Sequence, residues 1–258
     1  LGVVDGPARN REAWDVANEK YVEDPGALDG EELAVIEREL LAPVLADHPR
    51  VVHLQSGNGT DCVDLLRAGA SCATGIDFSR IAVEAASVRA RQLGSSAQYV
   101  VGAVPVVPLA DDVADLVYTG KGAIVWLADL ASWAREIARL LAPRGHLFIY
   151  DAHPAAPLWT LDVDSAGVAP ERSYFGGTRV NDTFPASAIA RFGDDSTPDA
   201  VEWQWTLADI VNSLLAAGLR IEHLGEHPDP FWRPAGARDA EAWSGRLPNS
   251  FTLLARRT

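Results

Sequence analysis

The chain has no excess of basic residues, and that absence excludes polyanionic partners. Across 258 residues, 22 Lys and Arg face 36 Asp and Glu, giving a formal charge of -14 and a pI near 4.8. Phosphate backbones would be repelled, so no nucleic-acid partner is expected. No apolar run approaches the ~20 residues that span a bilayer, and no signal peptide is visible, so no membrane partner is expected. Leu1 is not an initiator residue, so the native start is expected upstream. Cysteine is scarce. Cys62 and Cys72 fall in or beside core elements, which predicts buried free thiols and a reducing cytoplasm. Internal repeats and low-complexity tracts are absent. What remains is 48% hydrophobic, enough for one domain with an insertion.

The informative stretch runs from Val51 to Asp77. An apolar strand, Val51 to Leu54, leads into the turn Gln55-Ser56-Gly57-Asn58-Gly59. A helix from Thr60 to Ala68 follows, with Val63, Leu65 and Leu66 on one face, and a second strand, Cys72 to Ile76, ends on Asp77. Glycines in such a turn let the backbone reverse and let a ligand approach the main chain. The helix start aims free N–H groups, and Asp61 in its first turn, at the same place. Asp77, 20 residues after Gly57, is placed to accept hydrogen bonds from a ribose diol.

Two further absences choose among adenosine-containing ligands. A dinucleotide fingerprint wants a third glycine three residues after the second, and Cys62 stands there. No Lys-Ser/Thr pair follows the glycines, which excludes a P-loop.

At this point the sequence resembles the class I S-adenosylmethionine (SAM) dependent methyltransferases. HLQSGNGTDCVDLLRAGA-SCATGIDFS is similar to their motif I with the acidic strand end that follows. It most resembles a bacterial subgroup whose first strand reads His-Leu-Gln. Asp115 to Thr119 resembles the fourth strand, Leu140 to His146 the turn into the fifth, His153-Pro154 its exit, and Ala217 to Glu222 the lead into the sixth. The resemblance implies a Rossmann-like α/β fold: a seven-stranded mixed sheet with helices on both faces, an N-terminal lid helix and an insertion after the fifth strand. It implies SAM as cofactor and S-adenosylhomocysteine as product. A single domain over 1–258 is expected, divided into a helical lid (1–48), a cofactor-binding core (49–154), a substrate-covering insertion (155–204) and a C-terminal helix with a strand hairpin (205–258).

The resemblance also distributes roles. Gln55, Ser56, Gly57, Asn58, Gly59 and Asp61 would hold the methionine part, and Asp77 the ribose, with Phe78 beside it. Gly102, Ala103 and Val104 follow the third strand, Gln98 to Val101, where the family usually places an Asp on the adenine amino group. Ala103 departs from that pattern, so main-chain groups or something else must read adenine. Thr119, Gly120 and Lys121 leave the fourth strand at the topological switch point and should border the cofactor. Lys121 reads equally as a solvated loop residue.

The chain outside this core supplies candidates for the acceptor side. Arg11 to Tyr21 can form a helix aligning Trp14 and Tyr21, either packing on the domain or closing as a lid. Asp29 to Leu45 reads as a second helix. Trp126 is expected at the start of the helix after the fourth strand, as core or as a wall of the ligand site. Residues 155–202 interrupt the alternation with Trp159, Tyr174, Phe175, Phe184 and Phe192, an ordered cover including a small antiparallel addition. Trp205 follows it, and Phe231-Trp232 could join the same cavity.

Methyl transfer from a sulfonium is an in-line displacement in which alignment in a dry site can supply ~7–11 kcal/mol. A base matters only for a nucleophile that carries a tightly held proton. His153 leaves the sheet at its ligand edge and is the candidate base, with Tyr21 facing the acceptor; a structural histidine is the alternative. His53 is expected neutral, orienting the glycine turn. His223 and His227, four apart on a strand, span ~13 Å and are discarded as a metal pair. No metal is expected. The substrate expected is a small aromatic or heterocyclic secondary metabolite of indole or phenol type, with the homodimer left open. The alternatives are an NAD-linked oxidoreductase, a non-catalytic SAM-binding subunit, and a protein-methylating enzyme.

Overall fold

The computed structural model describes residues 6–23, 33–159, 168–169, 171–181, 199–231 and 245–258, without the side chains of Lys20 and Tyr21. Helices α1 (Gly6–Glu23) and α2 (Val35–Leu45) precede an alternating core: β1 (Arg50–Leu54), α3 (Thr60–Arg67), β2 (Cys72–Asp77), α4 (Arg80–Gln92), β3 (Gln98–Val101) and β4 (Ala114–Gly120). A 3-10 turn at Ile124–Trp126 leads to α5 (Leu130–Leu140) and β5 (Leu141–Ala152). Then come a short turn at Ala156–Leu158, β6 (Thr178–Asn181), β7 (Ala200–Trp203), α6 (Leu207–Ala216), β8 (Leu219–His227) and β9 (Ser250–Arg257).

Seven strands form one sheet in the order β3-β2-β1-β4-β5-β9-β8. The first five run parallel, and β9 enters antiparallel between β5 and β8. The mixed sheet and the antiparallel terminal pair are those expected. The order reverses between β1 and β4, so the crevice of the fold opens at the carboxyl ends of these two strands.

Apolar faces explain the layers. On one side Trp133, Ile137 and Leu140 of α5 and Ile210 and Leu214 of α6 bury against Val52, Leu54, Val117, Leu147 and Phe251. On the other, Leu41 and Leu45 of α2 and Cys62 and Leu65 of α3 pack on Val51, Leu116, Tyr118 and Phe148. Ser79 caps α4 by accepting from Ala82 N–H at 3.1 Å, as its position predicts. Thr206 and Asp209 form a capping box on α6.

The structure adjusts several boundaries. The helix expected from Arg11 starts at Gly6, and the one expected from Asp29 starts at Val35, with 24–32 outside the described residues. Trp126 ends a 3-10 turn rather than opening a helix; Asp129 caps α5 by accepting from Ser132 N–H at 3.0 Å. Cys62 is buried, but Cys72 is exposed because β2 begins at the rim of the sheet. The small antiparallel addition exists as β6 paired with β7. Phe184, Phe192 and Trp232 lie outside the described residues.

Candidate active site

The loop after β1 is shaped by left-handed backbone at Gln55, Gly57 and Gly59. The two glycines do different work. A Cβ on Gly59 would strike the Tyr99 ring at 2.5 Å and Ala86 at 2.6 Å, so Gly59 serves packing. A Cβ on Gly57 would meet nothing within 4 Å and would project into open space, which is the cradle a ligand needs. Asn58 stiffens the turn, accepting from Thr60 N–H at 3.2 Å and from the Thr60 hydroxyl at 3.0 Å.

Two strand-end carboxylates hold the loops around the switch point. Asp77, at the end of β2, accepts from Gly57 N–H at 2.8 Å and from Ser79 N–H at 2.9 Å. Asp151, near the end of β5, accepts from Gly122 N–H at 2.6 Å, Ala152 N–H at 2.7 Å, and Ala123 and Ile124 N–H at 3.1 Å each. Burial pushes both carboxyls up to about 6, against the pull of these N–H donors. Gln55 then joins the loops directly, its amide donating to Ala123 O at 2.8 Å. Neither the tie at Gln55 nor the role of Asp151 is foreseen from sequence. An Asp at a strand end in the same setting as Asp77 was the available signal.

Three buried oxygens border this crevice without a hydrogen-bond partner among the described residues: Gln55 Oε1, Ser56 Oγ and Thr119 Oγ1. Buried acceptors left unpaired cost about 1–3 kcal/mol each. With the open face of Gly57, they fit a polar ligand at the ends of β1 and β4.

Lys121 turns away from that ligand face. Its ammonium pairs with Asp61 and, at 3.3 Å, with Glu37, whose carboxylate also accepts from the Tyr118 hydroxyl and from Ala34 N–H at 2.7 Å. Burial opposes the charge on Lys121, but Asp61 and Glu37 outweigh it and hold its pKa up. Lys121 and Asp61 thus form one ion pair behind the loops. His53 is neutral, pushed down to about 4 by burial, and stands edge-on to Tyr118 at 4.8 Å with Cys62 Sγ 3.7 Å from Nδ1. It packs α3 on the sheet rather than touching the glycine turn.

Beyond β3, Gly102 N–H donates to Asp77 O at 2.9 Å and Ala103 O accepts from Val106 N–H at 2.9 Å. Val104 precedes a cis Pro105. Gly102, Ala103 and Val104 therefore follow directly from the Asp77 backbone, and Phe78 is half-buried beside it.

Helix α1 lies over the α4 start and the β6–β7 pair. Asp15 accepts from the Ser79 hydroxyl at 2.5 Å. Asn10 donates to Val201 O at 2.8 Å and accepts from Val201 N–H at 2.6 Å, reading β7 as a strand neighbour would. Trp14 then meets Trp126 edge-to-face at 5.6 Å, bringing two expected substrate residues together. The side chain of Tyr21 lies outside the described residues. Trp205 donates from Nε1 to Leu127 O at 2.8 Å and borders an open groove of about 630 Å3 between Tyr174 and Asp209.

His153 faces the other way. Its Nδ1 accepts from Ala155 N–H at 3.1 Å, and Nε2 lies 2.8 Å from Glu226 Oε1 without the alignment of a hydrogen bond. Burial lowers its pKa, with Glu226 opposing. Nδ1 is taken by Ala155, and the ring packs on Phe251, 6.5 Å away. The two histidines discarded as a metal pair come closer than strand spacing suggests. Gly225 leaves room between them, and His223 and His227 reach Thr252 Oγ1 at 3.3 and 2.9 Å. Among the described residues, no group of three or more His, Cys, Asp or Glu could hold a metal.

A seven-stranded sheet of this order, with a glycine turn and a strand-end carboxylate at its switch point, is the fold of the class I SAM-dependent methyltransferases. Residues 51–145 match the family model described as a methyltransferase domain. In fold the chain is similar to an S-adenosylmethionine dependent methyltransferase from Mesorhizobium loti, at 24% identity and a TM-score of 0.59, covering 83% of this chain and 96% of that one. A protein from Listeria monocytogenes described in the same terms shares 18% identity at a TM-score of 0.63, covering 87% and 100%. A geranyl diphosphate methyltransferase, solved with that diphosphate and sinefungin, shares 15% identity at a TM-score of 0.56, covering 85% and 79%. No curated protein sequence matches the chain. No helix among the described residues is long and apolar enough to cross a membrane.

Proposed function

We propose that the enzyme methylates a small aromatic or heterocyclic secondary metabolite of indole or phenol type. The contact of Trp14 with Trp126 carries this reading: it closes the lid helix, through an aromatic edge, onto the residues that leave β4. The net charge of -14 disfavours nucleic acid as the acceptor. The similarly folded geranyl diphosphate methyltransferase also pairs this fold with a small acceptor.

When bound, SAM supplies a methyl group already activated by positive sulfur. The work left to the protein is alignment and exclusion of water. In this proposal the open face of Gly57, with Ser56 and Asn58 in the same turn, receives the methionine part. Gln55 Oε1 and Thr119 Oγ1 offer acceptors to its ammonium, and Gly120 borders it. Asp77 has lone pairs left over from its two N–H bonds and takes the ribose hydroxyls. Phe78, Gly102, Ala103 and Val104 flank adenine through main chain and apolar contact. Trp14, Trp126 and Trp205 wall the acceptor. No base is assigned: His153 Nδ1 is taken by Ala155 N–H and Nε2 faces the Glu226 carboxylate.

The free thiols Cys62 and Cys72 suit a reducing cytoplasm. The NAD-linked alternative falls on the sheet, because β9 between β5 and β8 departs from the 3-2-1-4-5-6 order of dinucleotide folds. The test is methyl-labelled SAM incubated with the protein and a metabolite extract. Label should enter an ultraviolet-absorbing small molecule. Label in protein, or none at all, would overturn the proposal.

A further inference from the structure

Two cavities adjoin along the β6–β7 ladder. The open groove of about 630 Å3 is lined by Tyr174, Phe175, Trp203 and Trp205. A smaller one, about 110 Å3, is lined by Arg172, Arg179, Glu202, Val125 and Pro157. Both touch Gly176, Gly177, Thr178, Trp203 and Gln204, so they share a wall. Val125 and Pro157 sit in the short turns that follow β4 and β5. The smaller cavity therefore reaches toward the strand exits.

The two ends differ in chemistry. At the outer end Phe175 is 87% exposed while standing edge-on to Tyr174 at 5.3 Å. An aromatic ring left in water beside an aromatic groove marks a place for an apolar body. At the inner end Arg179 is neutralised by Glu202, which also accepts from Asn181 at 2.7 Å. Arg172 is not. Among the described residues its one ion-pair contact is Glu171 at 4.0 Å, and that carboxylate is 67% exposed. Burial and the nearby Arg179 work against the charge on Arg172 and outweigh the support of Glu202 and Glu171, which line the same cavity. A partly desolvated guanidinium whose one ion-pair contact is long and exposed can receive a planar or tetrahedral oxyanion.

We infer that these cavities extend the acceptor site beyond Trp205 and select a small molecule with an aromatic body and a carboxylate or phosphate group. The ring rests against Phe175, Tyr174 and Trp203, and the anion meets Arg172. The link to the methyl donor rests on the function proposed above; the binding preference does not.

Calorimetry on the full chain tests this with four probes: 3-phenylpropionate, phenyl phosphate, the uncharged 3-phenylpropanamide, and S-adenosylhomocysteine. At least one anion should bind about tenfold or more tightly than the amide. The two anions tell a carboxylate site from a phosphate site. Arg172→Gln should erase the preference and leave S-adenosylhomocysteine affinity unchanged. Arg172→Lys, which keeps the charge and loses the fork, should retain part of it and serves if the Gln variant does not fold. Phe175→Ala should weaken anion and amide alike, by about threefold. Equal binding of anion and amide, no binding of any aryl probe at millimolar concentration, or a preference surviving in Arg172→Gln would overturn the inference. Failure of S-adenosylhomocysteine alone to bind would strike the methyltransferase reading and leave the anion preference standing.

Discussion

The side-chain amide of Gln55 donates to the carbonyl of Ala123 at 2.8 Å, tying the loop after β1 to the loop after β4 across the switch point. Asp77 holds the first of these loops and Asp151 the second, so three side chains fix the two walls of one crevice. Removing the tie should loosen the crevice without unfolding the domain. Gln55→Ala is expected to weaken S-adenosylhomocysteine binding by about 5–10-fold, the worth of one hydrogen bond near 1 kcal/mol. Calorimetry reads the affinity and urea unfolding the stability.

Asp77 and Asp151 predict opposite pH trends for stability and for binding. Their folded pKa values, about 6, lie above the ordinary carboxyl value of 3.8. The stability they contribute is therefore fully present below the unfolded value and is lost as pH rises through about 6, by roughly 3 kcal/mol each. Cofactor binding needs the carboxylate of Asp77 and should weaken by about tenfold per pH unit below 6. Urea midpoints and S-adenosylhomocysteine affinities at pH 7.5, 6 and 5 should diverge in this way. Asp77→Asn should bind weakly at all three.

Lys121 is the cation between two carboxylates behind the loops. Lys121→Met leaves Glu37, fully buried, facing Asp61 with nothing between them. The cost expected is roughly 2–4 kcal/mol, at or below the range for a fully buried pair because Lys121 keeps some solvent contact. Denaturant unfolding measures it.

His153 offers a direct contest between two roles. A general base would cost ~10²–10⁴-fold in turnover when removed. The observed engagement with Ala155 and Glu226 predicts instead that His153→Ala keeps turnover within a few-fold. It should lose about 1–3 kcal/mol of stability, because Ala155 N–H is left unpaired. Steady-state kinetics and unfolding separate the two.

The parts legible in sequence are those with a local cause. Apolar runs place β1 to β4, and the cap at Ser79 places α4. Gly57 and Gly59 announce a left-handed turn because few other residues accept that backbone. What escaped reading are partners brought together from far along the chain: Gln55 with Ala123, 68 residues apart, and Asn10 with Val201, 191 apart. Such pairs leave no period in the sequence. The orientation of His153 was hidden for the same reason, since Glu226 reaches it from β8 across the intervening β9. The exposed Cys72 shows a different limit, as apolar pattern marks a strand but not which of its ends lies at the rim.

The most direct test is calorimetry of S-adenosylhomocysteine with the wild-type chain and with Gly57→Ala. A Cβ there adds roughly 1–2 kcal/mol of backbone strain and fills the space proposed for the ligand. Tight binding by the wild type and at least about tenfold weaker binding by the variant is the result expected. No measurable heat with the wild type, or a variant that binds equally well, would contradict it.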